Sequence, residues 1–480
     1  MKVLKIPQII LCMIVVLLMG SILSAEGNPP LRPDSPFGIT AVWPAPFPNQ
    51  WNTDAELATL RSKYMPKLDS TQSCGIAWVK CQSVPFPLED WYSSHFKFEA
   101  FDSLVVFLQE KDLYPMILLS PPPWGPWNSE RALHTYIPLY YRVIVERYDG
   151  DGEGLMISCD SFPEVCDTCD TCNPYLFISE MENLTKPLKY WEVCNEPNLA
   201  GGTIYGHEWF LDDFRVFLRR VSEAVHNADS TAKVLAPAVS PALPDTWNDR
   251  HGNHYYFGAD SIWRAVLSIM HDTIFDTIID SIVTETSDSL SRCTVDTFFH
   301  IDTILPLPNA IDIITVHQYG DANSSSYSPA GKAAALDSCK MLVDSILDEF
   351  NQPHRPIWCT ETGWMTVPQS VGHAVPYDSQ AIYYVELLDS LVKRRDWLER
   401  TTFFALAHVE VVGGQLQHWG IMEIDSANNA LIPKPAYYAY KDYIKGTMSR
   451  IYGRGIRWRQ LMRVAGSYIT GGDYLGLTAL

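Results

Sequence analysis

The chain has 480 residues, with 36 Lys+Arg against 56 Asp+Glu, a formal charge of −20 and a pI near 5.0. At 47% hydrophobic and 19% charged it is not a disordered chain, and its acidity argues against duplex nucleic acid, which rewards basic faces. That length suits one elaborated α/β barrel or two to three ordinary domains. Its 15 Trp and 24 Tyr suit flat, hydroxyl-rich ligands as well as ordinary core packing.

Lys2 and Lys5 precede an apolar run, Ile9 to Met19, followed by the small-residue stretch Ser21 to Ala25. This reads as a secretory signal peptide over residues 1–25, cleaved after Ala25. The run falls well short of the roughly 20 residues needed to span a bilayer, and no later stretch reaches that length. The expectation is therefore an exported protein, extracellular or periplasmic, with no membrane span.

Short β-rich runs then alternate with helical stretches, the signature of βα units on a parallel sheet. Candidate strands are Phe37–Trp43, Gly75–Lys80, Tyr114–Ser120, Leu188–Cys194, Lys233–Pro237, Ile311–His317, Pro356–Thr360 and Thr402–His408. Eight is the number that closes a (β/α)8 TIM barrel, an α/β fold. Helices are expected over Asp54–Met65, Phe98–Glu110, Glu130–Tyr148 with a kink at Pro138, Glu208–Asn227, Lys332–Phe350 and Ser379–Arg395. Two long connections, Asp149–Pro187 and Ser240–Asn309, are expected outside the barrel wall, where insertions often shape a substrate cleft.

Ten Cys remain after the signal peptide. Export favours disulfides among some of them. Cys159, Cys166, Cys169 and Cys172 have overlapping CxxC spacings, and they read as disulfides stapling a loop in preference to zinc ligands, because no second ligand pair sits at finger spacing. Cys194 and Cys359 lie inside apolar strands and read as buried thiols. Asp149-Gly-Asp-Gly-Glu153 begins like a calcium loop but lacks the later ligands, so a solvated turn at a helix end is expected. Asn183-Leu-Thr and Asn323-Ser-Ser are glycosylation sequons in a host that glycosylates. Residues 447–480 carry Arg450, Arg454, Arg457, Arg459 and Arg463 against Asp473 alone. This basic tail has no assigned role.

The chemistry sits at two strand ends. In YWEVCNEPN (190–198) Pro197 stops the ladder, so Glu196 emerges at a carboxyl-terminal strand end. In IWCTETGW (357–364) Glu361 follows a short apolar strand and Gly363 opens the turn. In an α/β barrel all strands deliver their last residues to one face, so the two carboxyls would face each other across the mouth. Two carboxyls about 5–5.5 Å apart can hydrolyse a glycoside with retention.

WEVCNEPN and IWCTETGW resemble the acid/base and nucleophile signatures of the retaining (β/α)8 glycoside hydrolases, a clan that includes cellulases, mannanases, β-xylosidases and α-L-iduronidases. The resemblance runs from about Phe37 to Lys445. It implies Glu196 as acid/base, Glu361 as nucleophile and Asn195 as partner of the sugar 2-hydroxyl. Val316-His-Gln-Tyr-Gly320 resembles the clan segment that implies Tyr319 on the nucleophile and His317 on substrate or acid/base. PKPAYYAY (433–440) resembles the opening of the last helix. The sequence departs from the clan at Lys80, where an Arg is usual and whose ammonium cannot make the same planar fork. It departs again at strand eight, where Phe404 replaces a Trp floor, with His408 or Glu410 nearby. Trp419 lies further on and reads equally as packing. Trp43, Trp124, Trp127 and Trp364 lie at or just past strand ends, as candidate stacking platforms.

The resulting expectation is a signal peptide (1–25), a single catalytic barrel with long loop insertions (26–446) and a tail (447–480). The barrel would act as a monomer on a β-linked glycan, without metal or cofactor, as an endo-β-glycanase ahead of an exo-β-glycosidase. A non-catalytic carbohydrate-binding barrel and a metal-dependent hydrolase are the alternatives from other classes. The leader reading predicts that Edman sequencing of the exported protein starts at Glu26, whereas a retained Met1 would refute cleavage.

Overall fold

A computed structural model describes residues 33–42, 54–82, 98–119, 137–158, 175–197, 211–239, 259–272, 274–284, 294–319, 327–366, 374–407, 409–411, 415–425 and 430–448. Eight parallel strands form one sheet: β1 (Phe37–Val42), β2 (Trp78–Gln82), β3 (Tyr114–Leu119), β4 (Tyr190–Val193), β5 (Lys233–Leu235), β6 (Ile314–Gln318), β7 (Ile357–Thr362) and β8 (Leu398–Phe403). β8 pairs back onto β1 through Phe37 and Thr401, and the bridges Leu235 to Ile313 and Val239 to Val316 join β5 to β6. The ring is thereby closed as a (β/α)8 barrel. Its helices are α1 (Asp54–Cys74), α2 (Glu99–Glu110), α3 (Ile137–Arg147), α4 (Leu211–Ala228), α5 (Ala259–Ser268), α6 (Pro329–Glu349), α7 (Tyr377–Val392) and α8 (Pro435–Met448).

All eight expected strands occur in order, but the last is shifted. β8 is Leu398–Phe403 instead of Thr402–His408. Ala405–Ala407 are buried without being strand, and the chain there is held by Phe404 N–H on the Thr362 carbonyl and Leu406 N–H on that of Thr40. α1 continues past Met65 through Pro66, held by the buried Tyr64 and Leu68. Pro138 kinks nothing among the described residues; it sits in the first turn of α3, where its missing N–H costs no helix bond. After α3, Gly150 and Gly152 adopt φ +79° and +85°, and the Asp149 and Asp151 carboxylates accept the N–H groups two residues on, giving the expected turn.

Each of the two long connections contributes one described hairpin. Residues 149–187, with the hairpin Leu155–Ser158 and Tyr175–Ile178, join the end of α3 to the start of β4. Residues 269–309, with the hairpin Ile274–Thr284 and Thr294–Ile304, join α5 to β6. A helix-to-strand connection lies at the face where strands begin, opposite the active-site face of such barrels. The two described hairpins therefore lie in connections on the strand-start side, whereas residues 240–258, which follow β5, lie outside the described residues. The intervening α5 is itself part of the helix ring, with Trp263 and Val266 fully buried.

Inside the barrel the character changes along its axis. The strand-start end is filled by Trp78, Met116, Leu235, Ile313 and Trp358. The Arg400 guanidinium lies 3.8 Å from the Trp78 ring centroid and 4.5 Å from that of Trp358, and it donates to the Ser35 carbonyl at 2.7 Å. Burial lowers its pKa to about 10. Above this plug the interior turns polar, with Lys80, Glu192, Thr315, His317 and Thr360 all fully buried.

Cys74, Cys81, Cys194, Cys339 and Cys359 are buried thiols, as expected for Cys194 and Cys359. The cluster Cys159, Cys166, Cys169 and Cys172 lies outside the described residues, as do Cys293, the signal segment, Asn323 and the basic tail. Among the described residues no helix is long and apolar enough to cross a membrane. Truncating the barrel plug should be costly. Trp358→Ala is expected to lose about 3–5 kcal/mol in denaturant-unfolding measurements, and a change under about 1 kcal/mol would contradict a packed barrel floor.

Candidate active site

Glu196 and Glu361 reach the mouth through local distortions of their strands. At the end of β4, Cys194 and Glu196 both adopt positive φ, +64° and +45°. Left-handed backbone at non-Gly residues costs about 1–3 kcal/mol each and clusters at functional sites. Here it is anchored by Cys194 N–H on the Leu119 carbonyl and Glu196 N–H on that of Ala238. In β7 the register slips, so that Val316 faces Cys359 but His317 faces Glu361. This bulge lets consecutive side chains, Thr360 and Glu361, both find partners inside the barrel, which the alternation of a regular strand forbids.

Those partners converge on one ammonium. Lys80 Nζ, from β2, lies 2.8 Å from Glu192 Oε2, 3.0 Å from Glu361 Oε1 and 3.1 Å from His317 Nε2. Three acceptors match the three N–H bonds of an ammonium. Thr360 donates to the other Glu192 oxygen at 2.8 Å, and the Tyr319 hydroxyl donates to Glu361 Oε2 at 2.7 Å. Because Lys80 donates to Nε2, the His317 proton is assigned to Nδ1, which then donates to Glu196 Oε1 at 2.9 Å. One oxygen of Glu196 and one of Glu361 lie within 4.8 Å of each other.

The electrostatics separate the groups. Burial opposes ionisation of Glu361, but His317, Lys80 and the Tyr319 hydroxyl outweigh it and hold the carboxyl below its ordinary range. Burial likewise opposes the charge on Lys80, and Glu192 with Glu361 reverses that, raising its pKa. Tyr319 is pushed well above its ordinary value by burial and by Glu361, so it remains a donor. Glu196, His317 and Glu361 are spaced to hold a metal ion. However, the Lys80 ammonium already lies against both His317 Nε2 and Glu361 Oε1, so an ion there would sit beside a fixed positive charge.

The other expected site residues divide. Asn195 lies at the mouth, partly exposed, in a parallel bridge to Ala238. Phe404 is partly exposed, with its ring 6.3 Å from Tyr319 and 6.1 Å from Trp419. Trp419 packs edge-on against Tyr319 at 5.0 Å, so it belongs to this aromatic wall. Trp364 is a correction. It is fully buried and donates to the Tyr327 carbonyl at 2.6 Å, because the chain turns inward after Gly363; it cannot stack on a sugar. Gly363 itself is required, since a Cβ there would lie 2.4 Å from the Phe404 carbonyl oxygen. Trp43, Trp124, Trp127 and His408 lie outside the described residues.

Sequence reasoning missed Glu192 and Lys332. The only available signal for Glu192 was a charged residue two positions into an otherwise apolar strand.

Solved structures with this fold include the β-glucosidase from Thermotoga maritima in complex with deoxynojirimycin, at 11% identity and TM-score 0.52, covering 86% of this chain and 98% of that one. The family 1 β-glucosidase from Thermotoga maritima matches at 12% and TM-score 0.50, covering 85% and 98%. The chain spans 66% of the length of a family 51 α-L-arabinofuranosidase from Bifidobacterium longum, at 12% identity and TM-score 0.46 over 79% of this chain. No protein-family model matches the sequence, and no curated protein matches it.

The Lys80 network makes a stability prediction with a definite sign. A carboxyl with a depressed folded pKa stabilises the protein above its unfolded value, near 4.3, and that contribution is lost as pH falls through the folded pKa. Lys80→Met leaves Glu192 and Glu361 buried without their cation, which should cost about 3–5 kcal/mol at pH 7. The gap from wild type in chemical-denaturation experiments should narrow as acid neutralises Glu361. A gap independent of pH would show that the ion pairs do not carry it.

Proposed function

We propose that the protein is an exported retaining glycoside hydrolase acting on a β-linked glycan. The observation that carries the reading is the pair of carboxyls at the ends of β4 and β7, their oxygens within 4.8 Å. So close an approach of one oxygen of each suits the carboxyl spacing of about 5–5.5 Å of retaining enzymes better than the wider spacing that leaves room for an inverting water. The fold shared with the Thermotoga maritima β-glucosidase, and the motif resemblance of the two strand ends, support the same class.

In this reading Glu361, kept ionised by Lys80 and Tyr319, attacks the anomeric carbon while Glu196 gives its proton to the departing glycosidic oxygen. A covalent glycosyl ester on Glu361 results. Glu196, now a carboxylate, takes a proton from water, and the oxygen of that water displaces Glu361 from the anomeric carbon with net retention. His317, donating to Glu196 Oε1, leaves the proton in flight on the other carboxyl oxygen. Asn195 is positioned as donor to the sugar 2-hydroxyl, and Phe404 with Trp419 as the wall beside the reacting ring. Endo action on a β-glycan is the first expectation and exo action the second; product lengths from a polymeric substrate separate them.

The test is sugar release by the mature protein across β-glucan, mannan, xylan, galactan and aryl-glycoside substrates. Glu361→Ala should abolish turnover. Glu196→Ala should lose roughly 100-fold or more on natural glycans, the scale of general acid catalysis, yet keep the glycosylation step on aryl glycosides with good leaving groups. Glycan binding without release by any form would favour a binding barrel. Loss of activity on adding chelator would favour a metal-dependent hydrolase.

A further inference from the structure

Lys332 lies in the first turn of α6, behind the site, with its side chain fully buried. Its Nζ donates to the carbonyls of Gln318 at 3.2 Å and Tyr319 at the end of β6, and to that of Gly363 at 3.1 Å just past β7. The rings of Tyr319, Tyr327 and Trp364 surround it, with centroids 5.7, 5.3 and 4.7 Å away. The ionisable groups facing it are the Cys359 thiol of β7, Tyr319 after β6 and Tyr327 before α6. Burial pushes Cys359 and Tyr327 up to about 12 and Tyr319 well above its ordinary value, so none of them supplies a negative charge near neutral pH.

A buried ammonium is costly, and an apolar side chain of similar length would fill the same space. What the amine adds is a tie between two strand ends. One carbonyl it holds, just past β6, belongs to Tyr319, whose hydroxyl grips Glu361 Oε2. The carbonyl it holds beyond β7 lies two residues from Glu361. We propose that Lys332 is a positioning residue: by joining the Tyr319 and Gly363 carbonyls, it fixes both ends of the Tyr319–Glu361 hydrogen bond and so aims the nucleophile.

Burial lowers the Lys332 pKa to about 7. The charged clasp is thus complete below neutral pH and weakens as the proton leaves above it, since charge-assisted hydrogen bonds are about twice as strong as neutral ones. The catalytic consequence rests on the glycosidase reading, whereas the clasp itself does not.

The experiment compares wild type, Lys332→Met and Lys332→Arg across pH on a dinitrophenyl glycoside, whose leaving group needs no proton from Glu196. Wild type should lose rate as pH rises through 7. Lys332→Met should drop kcat roughly 100-fold, the scale of an ångström-sized misplacement, with KM little changed and the alkaline fall gone. Lys332→Arg, which stays charged, should recover rate and remain flat through the alkaline range. Wild-type kcat in Lys332→Met, or an unchanged alkaline fall in both variants, overturns the proposal. If Lys332→Met does not fold, the Arg profile decides alone. If wild type cleaves no glycoside, the function fails separately, and near-UV circular dichroism then tests the clasp. The signal of the Tyr319, Trp364 and Trp419 rings should shift between pH 6 and 9 in wild type but not in Lys332→Arg, and equal shifts in both overturn it.

Discussion

The mouth of this barrel depends on a single ammonium group held out of water. Lys80 is fully buried, and its charge is sustained because three acceptors from three other strands, Glu192, Glu361 and His317, close around it. Such a group is unfavourable unless every partner is in place. The cation therefore specifies the relative positions of β2, β4, β6 and β7 as strictly as any apolar contact in the core. Lys80 is a point charge, and the protein supplies Glu192 beside Glu361 to share it.

That requirement explains the irregular backbone around it. A regular β7 would point Thr360 and Glu361 to opposite faces, leaving one of them outside the polar interior. The bulge opposite His317 turns both inward, so that Thr360 satisfies Glu192 while Glu361 meets Lys80. The positive φ values at Cys194 and Glu196 do comparable work on β4, bending the strand end so that Glu196 meets His317. The opposite end of the barrel is a packed floor in which the Arg400 guanidinium lies over the Trp78 and Trp358 rings. The barrel divides into a stability end and a reactive end along its axis.

A third buried lysine joins Lys80 and Lys332. Lys434 is buried, with its Nζ on Thr366 Oγ1 and on the Gly420 carbonyl. It ties the chain beyond β7 to the segment bearing Trp419. Lys332 and Lys434 both hold backbone carbonyls where strand ladders have ended and regular hydrogen bonding no longer fixes the chain.

The sequence by itself determined the succession of eight strands and the two carboxyls that leave them. Both are local: β-rich runs bounded by breakers mark the strands, and Asn195-Glu196-Pro197 and Glu361-Thr-Gly363 put an acid where a ladder must stop. It also placed Tyr319 and His317, since they follow the β6 run directly. What it misplaced depended on tertiary packing. The apolar run after Phe403 looked like strand, yet it is buried by other means, while the polar Thr401 and Thr402 hold the ladder. Trp364 looked like a platform because it follows a strand end, and only the inward turn over Lys332 buries it. The partners of Lys80 and the reach of Lys332 were decided by the closed barrel alone, because residues far apart in the chain meet there only once the ring has shut and water has been excluded between them.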